Sequence, residues 1–112
     1  MTQPKIPERV KIPVETIEDN PFQPRERYTE IETLAAKIAA MKDQLPDTLG
    51  LIHVPNARRQ VDGTVQLAEG HRRLRAFRHL AQADPDYAEM PLNLVNLSDD
   101  DMDDIAWSEN RD

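Results

Sequence analysis

The sequence predicts an α+β domain: a small mixed β-sheet flanked by helices. Two observations carry this. Short segments with strand-like alternation are interspersed with longer segments of helical period. Prolines and glycines fall at the boundaries between them, where the chain must turn. At 112 residues there is room for one such domain with a modest core.

The elements follow in order. Residues 1–9 are polar, contain two prolines and read as a flexible arm, with the domain proper over 10–112. Val10 to Ile17 alternates as a strand, and Pro13, which lacks an N–H, favours an edge position. Asn20-Pro21-Phe22-Gln23-Pro24-Arg25 reads as a stiff extended loop, because its two prolines restrict the backbone and remove two donors. Thr29 and Glu32 have capping-box spacing, so a helix is expected from Thr29, with Ile31, Leu34, Ala35, Ile38 and Met41 on one face. Pro46 ends it and Gly50 turns the chain. Leu51–Arg59 and Val65–Ala68 read as strands joined through Asp62-Gly63, a hairpin signal. Gly70 to about Gln82 reads as the second helix, burying Leu74, Phe77, Leu80 and Ala81. Asp84-Pro85-Asp86 is a loop, Pro91–Leu97 a short strand, and Ser98 the cap of a last helix with Met102, Ile105 and Ala106 inward. The chain stops at Asp112 with no helix-ending signal, as a fragment of a longer protein would.

Composition excludes several classes of function. No apolar stretch approaches the ~20 residues of a membrane span, and the N-terminus lacks the apolar segment of a secretory signal, so a cytoplasmic protein is expected. The absence of cysteine rules out disulfides, thiolate zinc sites and cysteine nucleophiles. The net charge of −7 is unevenly distributed. Residues 1–82 hold 13 basic and 11 acidic side chains, whereas residues 83–112 hold 1 and 10. An anion site therefore belongs to the first part, and the acidic end would repel DNA or attract a cation.

The strongest chemical signal is Glu69-Gly70-His71-Arg72-Arg73-Leu74-Arg75-Ala76 at a strand-to-helix junction. A helix N-terminus presents unpaired N–H groups and a positive dipole end, which favour an anion. Gly70 admits a phosphate close to the backbone, Arg72 and Arg73 supply bidentate guanidinium forks, and His71 offers a further donor. Arg75 and Arg78 read instead as a solvated basic face. A Gln23-Pro24-Arg25 loop could hold an amide and a cation at fixed positions. Glu109-Asn110 pairs a carboxylate with an amide oxygen, a combination suited to magnesium. Each of these last two is weak alone, the bland readings being a surface loop and an exposed helix end. Asp99–Asp101 with Asp103 and Asp104 read as dipole-complementing and solvated residues, and His53 and His79 as structural.

In this order the motifs resemble the ParB partition family, whose N-terminal domain has a ParB/sulfiredoxin-like fold. The resemblance runs from about Val10 to the last residue and rests on Gln23-Pro24-Arg25, Gly50-Leu51-Ile52, Gly70-His71-Arg72-Arg73-Leu74-Arg75-Ala76 and Glu109-Asn110. It implies a CTP-dependent switch: Gln23, Arg25, Gly70, His71, Arg72 and Arg73 hold the triphosphate, and the turn at Gly50 lies by the base. Glu109 and Asn110 would bind magnesium and support slow CTP hydrolysis. It further implies a homodimer that closes as a clamp on DNA, a downstream helix-turn-helix domain in the longer protein, a partition ATPase as partner, and association with a nucleoid or plasmid. The sequence departs from the pattern at His71, where the family carries Glu.

Other readings of the same fold stay open. Small-molecule kinases share an acidic-Gly-His pattern that Glu69-Gly70-His71 approximates, with Glu69 as the base for a substrate hydroxyl. A ParB-like nuclease and a noncatalytic dimerisation module are further alternatives. Sulfiredoxin chemistry is excluded, since it needs a cysteine.

Overall fold

The structure is a computed structural model that describes residues 7–23 and 28–110. Five strands form one mixed sheet: β1 (Glu8–Pro13), β2 (Ile17–Glu18), β3 (Asn56–Arg59), β4 (Val65–Leu67) and β5 (Glu89–Leu94). Three helices accompany it: α1 (Ile31–Met41), α2 (His71–Ala81) and α3 (Asp99–Asn110). The strand order is β1-β5-β3-β4-β2. β1 runs antiparallel to β5 and β3 antiparallel to β4, while β3–β5 and β2–β4 are parallel. No helix among the described residues is long and apolar enough to cross a membrane.

Alternation along the strands selects the core. Val65 and Leu67 of β4, Ala57 of β3 and Met90 and Leu92 of β5 are buried together with Ala35 and Ile38 of α1 and Leu74, Ala76 and Phe77 of α2. The Phe77 and Tyr87 rings meet edge to face, 5.1 Å between centroids. The Tyr87 hydroxyl is buried with no hydrogen-bond partner among the described residues.

Four expectations on element boundaries are corrected. The single strand over Val10–Ile17 is two strands on opposite edges of the sheet, and the first starts at Glu8, inside the expected arm. The break follows Pro13, whose carbonyl accepts both the backbone N–H and the hydroxyl of Thr16 in a tight turn. The strand expected from Leu51 is confined to Asn56–Arg59, because Pro55 has no N–H to give a ladder, though its carbonyl accepts from Asn93. The capping box at Thr29 and Glu32 does not form; α1 starts after Glu30 in a left-handed conformation, and the Thr29 carbonyl accepts Arg72 Nε at 3.1 Å. Finally, β5 spans Glu89–Leu94 rather than Pro91–Leu97.

The start of α3 meets the expectation. Ser98 Oγ accepts the Asp101 N–H at 3.1 Å and Asp101 Oδ2 accepts the Ser98 N–H at 3.0 Å, a reciprocal cap. Asp99 pairs with Arg58 at 2.9 Å. Among the described residues of α3, Met102 and Ala106 are the fully buried ones, and Trp107 is 67% exposed.

Candidate functional site: a cleft at the N-terminus of α2

The site begins at Gly70, which precedes α2 with φ +82°. A Cβ there would lie 2.7 Å from Pro55 Cγ, so glycine is required by both conformation and packing. α2 has no side-chain cap on its N-cap residue and no acidic residue in its first turn, while Arg72 and Arg73 add two positive charges to a dipole end that is already positive. The cap comes from far along the chain. Glu109 Oε1 accepts the His71 N–H at 3.4 Å, and the Gly70 amide beside it also favours the carboxylate charge.

His71 lies beneath this contact, fully buried. The Asn20 N–H donates to its Nε2 at 3.0 Å, so that nitrogen carries no proton and Nδ1 carries the ring hydrogen. Nδ1 lies 3.0 Å from Glu109 Oε2, the bond that this tautomer can donate. Gln23 Nε2 donates to the same oxygen at 3.2 Å. Burial works against the Glu109 charge, but the His71 ring and the Gly70 and His71 amides outweigh it and hold the carboxyl below its ordinary range.

Asn20 is buried and fully used. Its side-chain NH₂ donates to Ala68 O at 3.0 Å and Met102 O at 2.8 Å, and its Oδ1 accepts the Phe22 N–H at 2.9 Å. It thus joins the Gln23 loop, the end of β4 and α3. The Asn-Pro dipeptide signalled the turn, but nothing local signalled the partners. Arg75 and Arg78 are not the solvated face expected of them. Arg75 forms a bidentate pair with Asp19, 2.6 Å on each arm, and stacks over Tyr28, whose ring in turn stacks on His71. Arg78 donates to Val14 O at 3.0 Å and Ile17 O at 2.9 Å. Both arginines tie α2 to the segment that leads into the site. The hydrogen bond from Arg75 outweighs partial burial and lowers the Asp19 carboxyl.

These elements enclose an open cleft of about 790 Å³. Glu69, Gly70, Arg72 and Arg73 form one wall, Asp104, Ile105, Ser108 and Glu109 of α3 another, and Thr29, Glu30 and Leu34 at the start of α1 a third. Among the described residues Arg73 donates no hydrogen bond, leaving its guanidinium for a ligand. Glu69 is half-buried, and desolvation, followed by the nearby Glu109 charge, pushes its carboxyl up despite Arg73.

The cleft therefore unites Gly70, Arg72, Arg73, Glu69 and Glu109, with Gln23 in contact through Glu109. His71 does not line it: its ring is turned inward and its N–H is held by Glu109, which does. Gly50 does not line it; a Cβ there would sit 2.0 Å from Ile38 O, so this glycine lets the turn pack on α1. Arg25 lies outside the described residues, as does the side chain of Asn110. Sequence reasoning found Glu109 but missed the rest of the α3 wall, although Asp104 with Ser108 and Ile105 with Glu109 have the four-residue spacing of one helix face.

Fold and cleft together define a small α+β domain with a mixed sheet and an arginine-lined recess at a strand-to-helix junction. The family model of the ParB N-terminal domain matches residues 2–111, and the chain belongs to that family. Several solved structures are similar to it, two of them complexes of one protein. One is the C-terminally truncated chromosome-partitioning protein ParB from Caulobacter crescentus complexed with CTP-gamma-S, at 24% identity, covering 92% of this chain and 52% of that one, with a TM-score of 0.63. The other is the same C-terminally truncated protein complexed to the centromeric parS site, at 24% identity, covering 90% and 46%, with a TM-score of 0.61. The chain thus spans about half the length of these structures. No curated protein matches it.

Proposed function

We propose that the domain binds a nucleoside triphosphate, CTP, in this cleft and acts as a partition switch, closing two copies as a clamp on DNA bound by a further domain of the longer protein. The observation that carries this reading is Arg73, which among the described residues donates no side-chain hydrogen bond and lines the cleft beside Gly70 at the N-terminus of α2. A flexible anion with several oxygens matches that donor set. The relative solved with CTP-gamma-S supports the choice of nucleotide.

Among the described residues no three metal-ligating side chains come together, so the magnesium reading rests on the Glu109 carboxylate, once it leaves α2, together with the oxygens of the bound phosphates, with Asn110 as its candidate companion. Such a cation would neutralise phosphate charge. Glu109 and Asn110 are accordingly the residues proposed for slow CTP hydrolysis, with Gln23 and Arg25 completing the phosphate contacts. A homodimer, a partition ATPase partner and a nucleoid- or plasmid-associated cytoplasmic location belong to this proposal.

Calorimetric titration with CTP, ATP and GTP, each with magnesium, tests it. Selective CTP binding that Arg73→Ala abolishes without loss of fold is the expected result. Unchanged affinity in that variant sinks the site. One observation favours a second reading: Glu69 is a half-buried, raised carboxyl in the cleft, as a base for a substrate hydroxyl would be. Adenine-nucleotide preference together with phosphoryl transfer lost in Glu69→Gln would select that kinase reading.

A further inference from the structure

The amides that an anion needs at the N-terminus of α2 already have a partner. Glu109, 38 residues away in sequence, takes the His71 N–H with its carboxylate, and the neighbouring Gly70 amide favours the same charge. His71 Nδ1 and Gln23 Nε2 hold its other oxygen at 3.0 and 3.2 Å. A helix that begins with Gly70, lacks a local cap and carries Arg72 and Arg73 in its first turn requires a negative charge there, and this residue provides it.

We propose that Glu109 is an internal competitor for phosphate: its carboxylate occupies the α2 amides in the ligand-free domain, and a polyphosphate gains them only by displacing it. Each N–H serves one strong acceptor, so the two anions exclude each other at the His71 amide and repel each other beside Gly70. The inference rests on the reading of the cleft as a phosphate site and adds its regulation. The cost of displacing Glu109 lowers affinity, and every ligand that succeeds releases the last turn of α3. Past Ala106, none of the described residues of α3 is buried, so local release of its last turn is feasible. The displaced carboxylate becomes available to a cation arriving with the ligand, which couples phosphate binding to metal binding through one side chain.

The test uses the 112-residue chain, inorganic tripolyphosphate and EDTA, so that neither base recognition nor a metal contributes. Trp107, the single tryptophan and two residues from Glu109, reports on the end of α3. Glu109→Ala is expected to bind tripolyphosphate about tenfold tighter than the parent chain, the scale of one charge at a helix terminus in a partly buried setting. Glu109→Gln, which preserves shape, should fall between. Tripolyphosphate should shift the parent Trp107 emission toward that of ligand-free Glu109→Ala. Equal or weaker binding by both variants, or no binding by either, overturns the proposal. The two readings fail separately. Tighter tripolyphosphate binding by Glu109→Ala without CTP selectivity leaves the competitor and removes the CTP switch. Selective CTP binding with tripolyphosphate affinity unchanged by both substitutions does the reverse.

Discussion

The imidazole of His71 stands between a backbone and a carboxylate, accepting the Asn20 N–H at Nε2 and meeting Glu109 Oε2 at 3.0 Å from Nδ1. One fully buried ring therefore sets the position of both the Asn20–Gln23 turn and the end of α3 relative to α2. Its replacement by alanine leaves a cavity and an unpaired buried N–H. His71→Ala is expected to cost about 2–4 kcal/mol in urea denaturation. His71→Glu, which restores the residue of the family pattern, sets a second carboxylate against Glu109. It should be at least as damaging unless Glu109 is also changed to Gln, a coupling that a double-mutant cycle would read. An additive result would show that the two side chains do not act as a pair.

Glu69 carries a pH signature. Its carboxyl is raised in the folded domain, with burial as the main cause, so its ionised form is less favourable there than in the unfolded chain. At neutral pH this charge lowers stability. Below the ordinary glutamate range the residue is protonated in both states and the penalty vanishes. Glu69→Gln should therefore stabilise the domain at pH 7, with a gain that shrinks toward pH 4. Paired urea melts of both proteins across that range would check it, and a gain that grew on acidification would contradict it.

Gly50 separates packing from ligand binding. A Cβ at this position meets Ile38 O at 2.0 Å in a backbone with φ +93°. Gly50→Ala should cost more than the ~1–2 kcal/mol of a left-handed residue alone, because α1 must also shift. Thermal melting would show the loss, and nucleotide affinity measured well below the melting temperature should remain close to that of the parent.

Tyr87 is the opposite case. Its hydroxyl is buried without a partner among the described residues, whereas its ring packs on Phe77. Tyr87→Phe keeps the ring contact and removes the unsatisfied group. Stability should be unchanged or raised by about 1–2 kcal/mol. A clear loss in denaturant titration would mean that the hydroxyl has a partner in solution.

Local chemistry made much of this domain legible. Gly70 followed by Arg72 and Arg73 marked the helix start that lines the cleft, and Ser98 marked α3, because caps and glycines act within a turn of where they stand. The failures share one cause. The Thr29 and Glu32 spacing is a proper box, yet Arg72 claims the Thr29 carbonyl from another helix. Val10–Ile17 alternates well throughout, but strand partners decide where it breaks, and those lie in β5 and β4. Arg75 and Arg78 sit off the apolar stripe, as solvated residues do, and only the fold brings Asp19 and the carbonyls of Val14 and Ile17 to them. In the same way, Glu109-Asn110 drew attention as a metal pair, while the contact of Glu109 with α2 depends on a distance that no motif spans.

The placement of the first two strands on opposite margins of the sheet bears on how the chain assembles during synthesis. β2 can join β4 once residues near 65 have emerged, but β1 must wait for Glu89–Leu94, since it has no other partner in the sheet. The sheet closes with the pairing that spans nearly the whole chain, the slowest kind to form. Until then Val10 and Ile12 are held out of the core, so a nascent chain arrested before β5 should present that segment to chaperones.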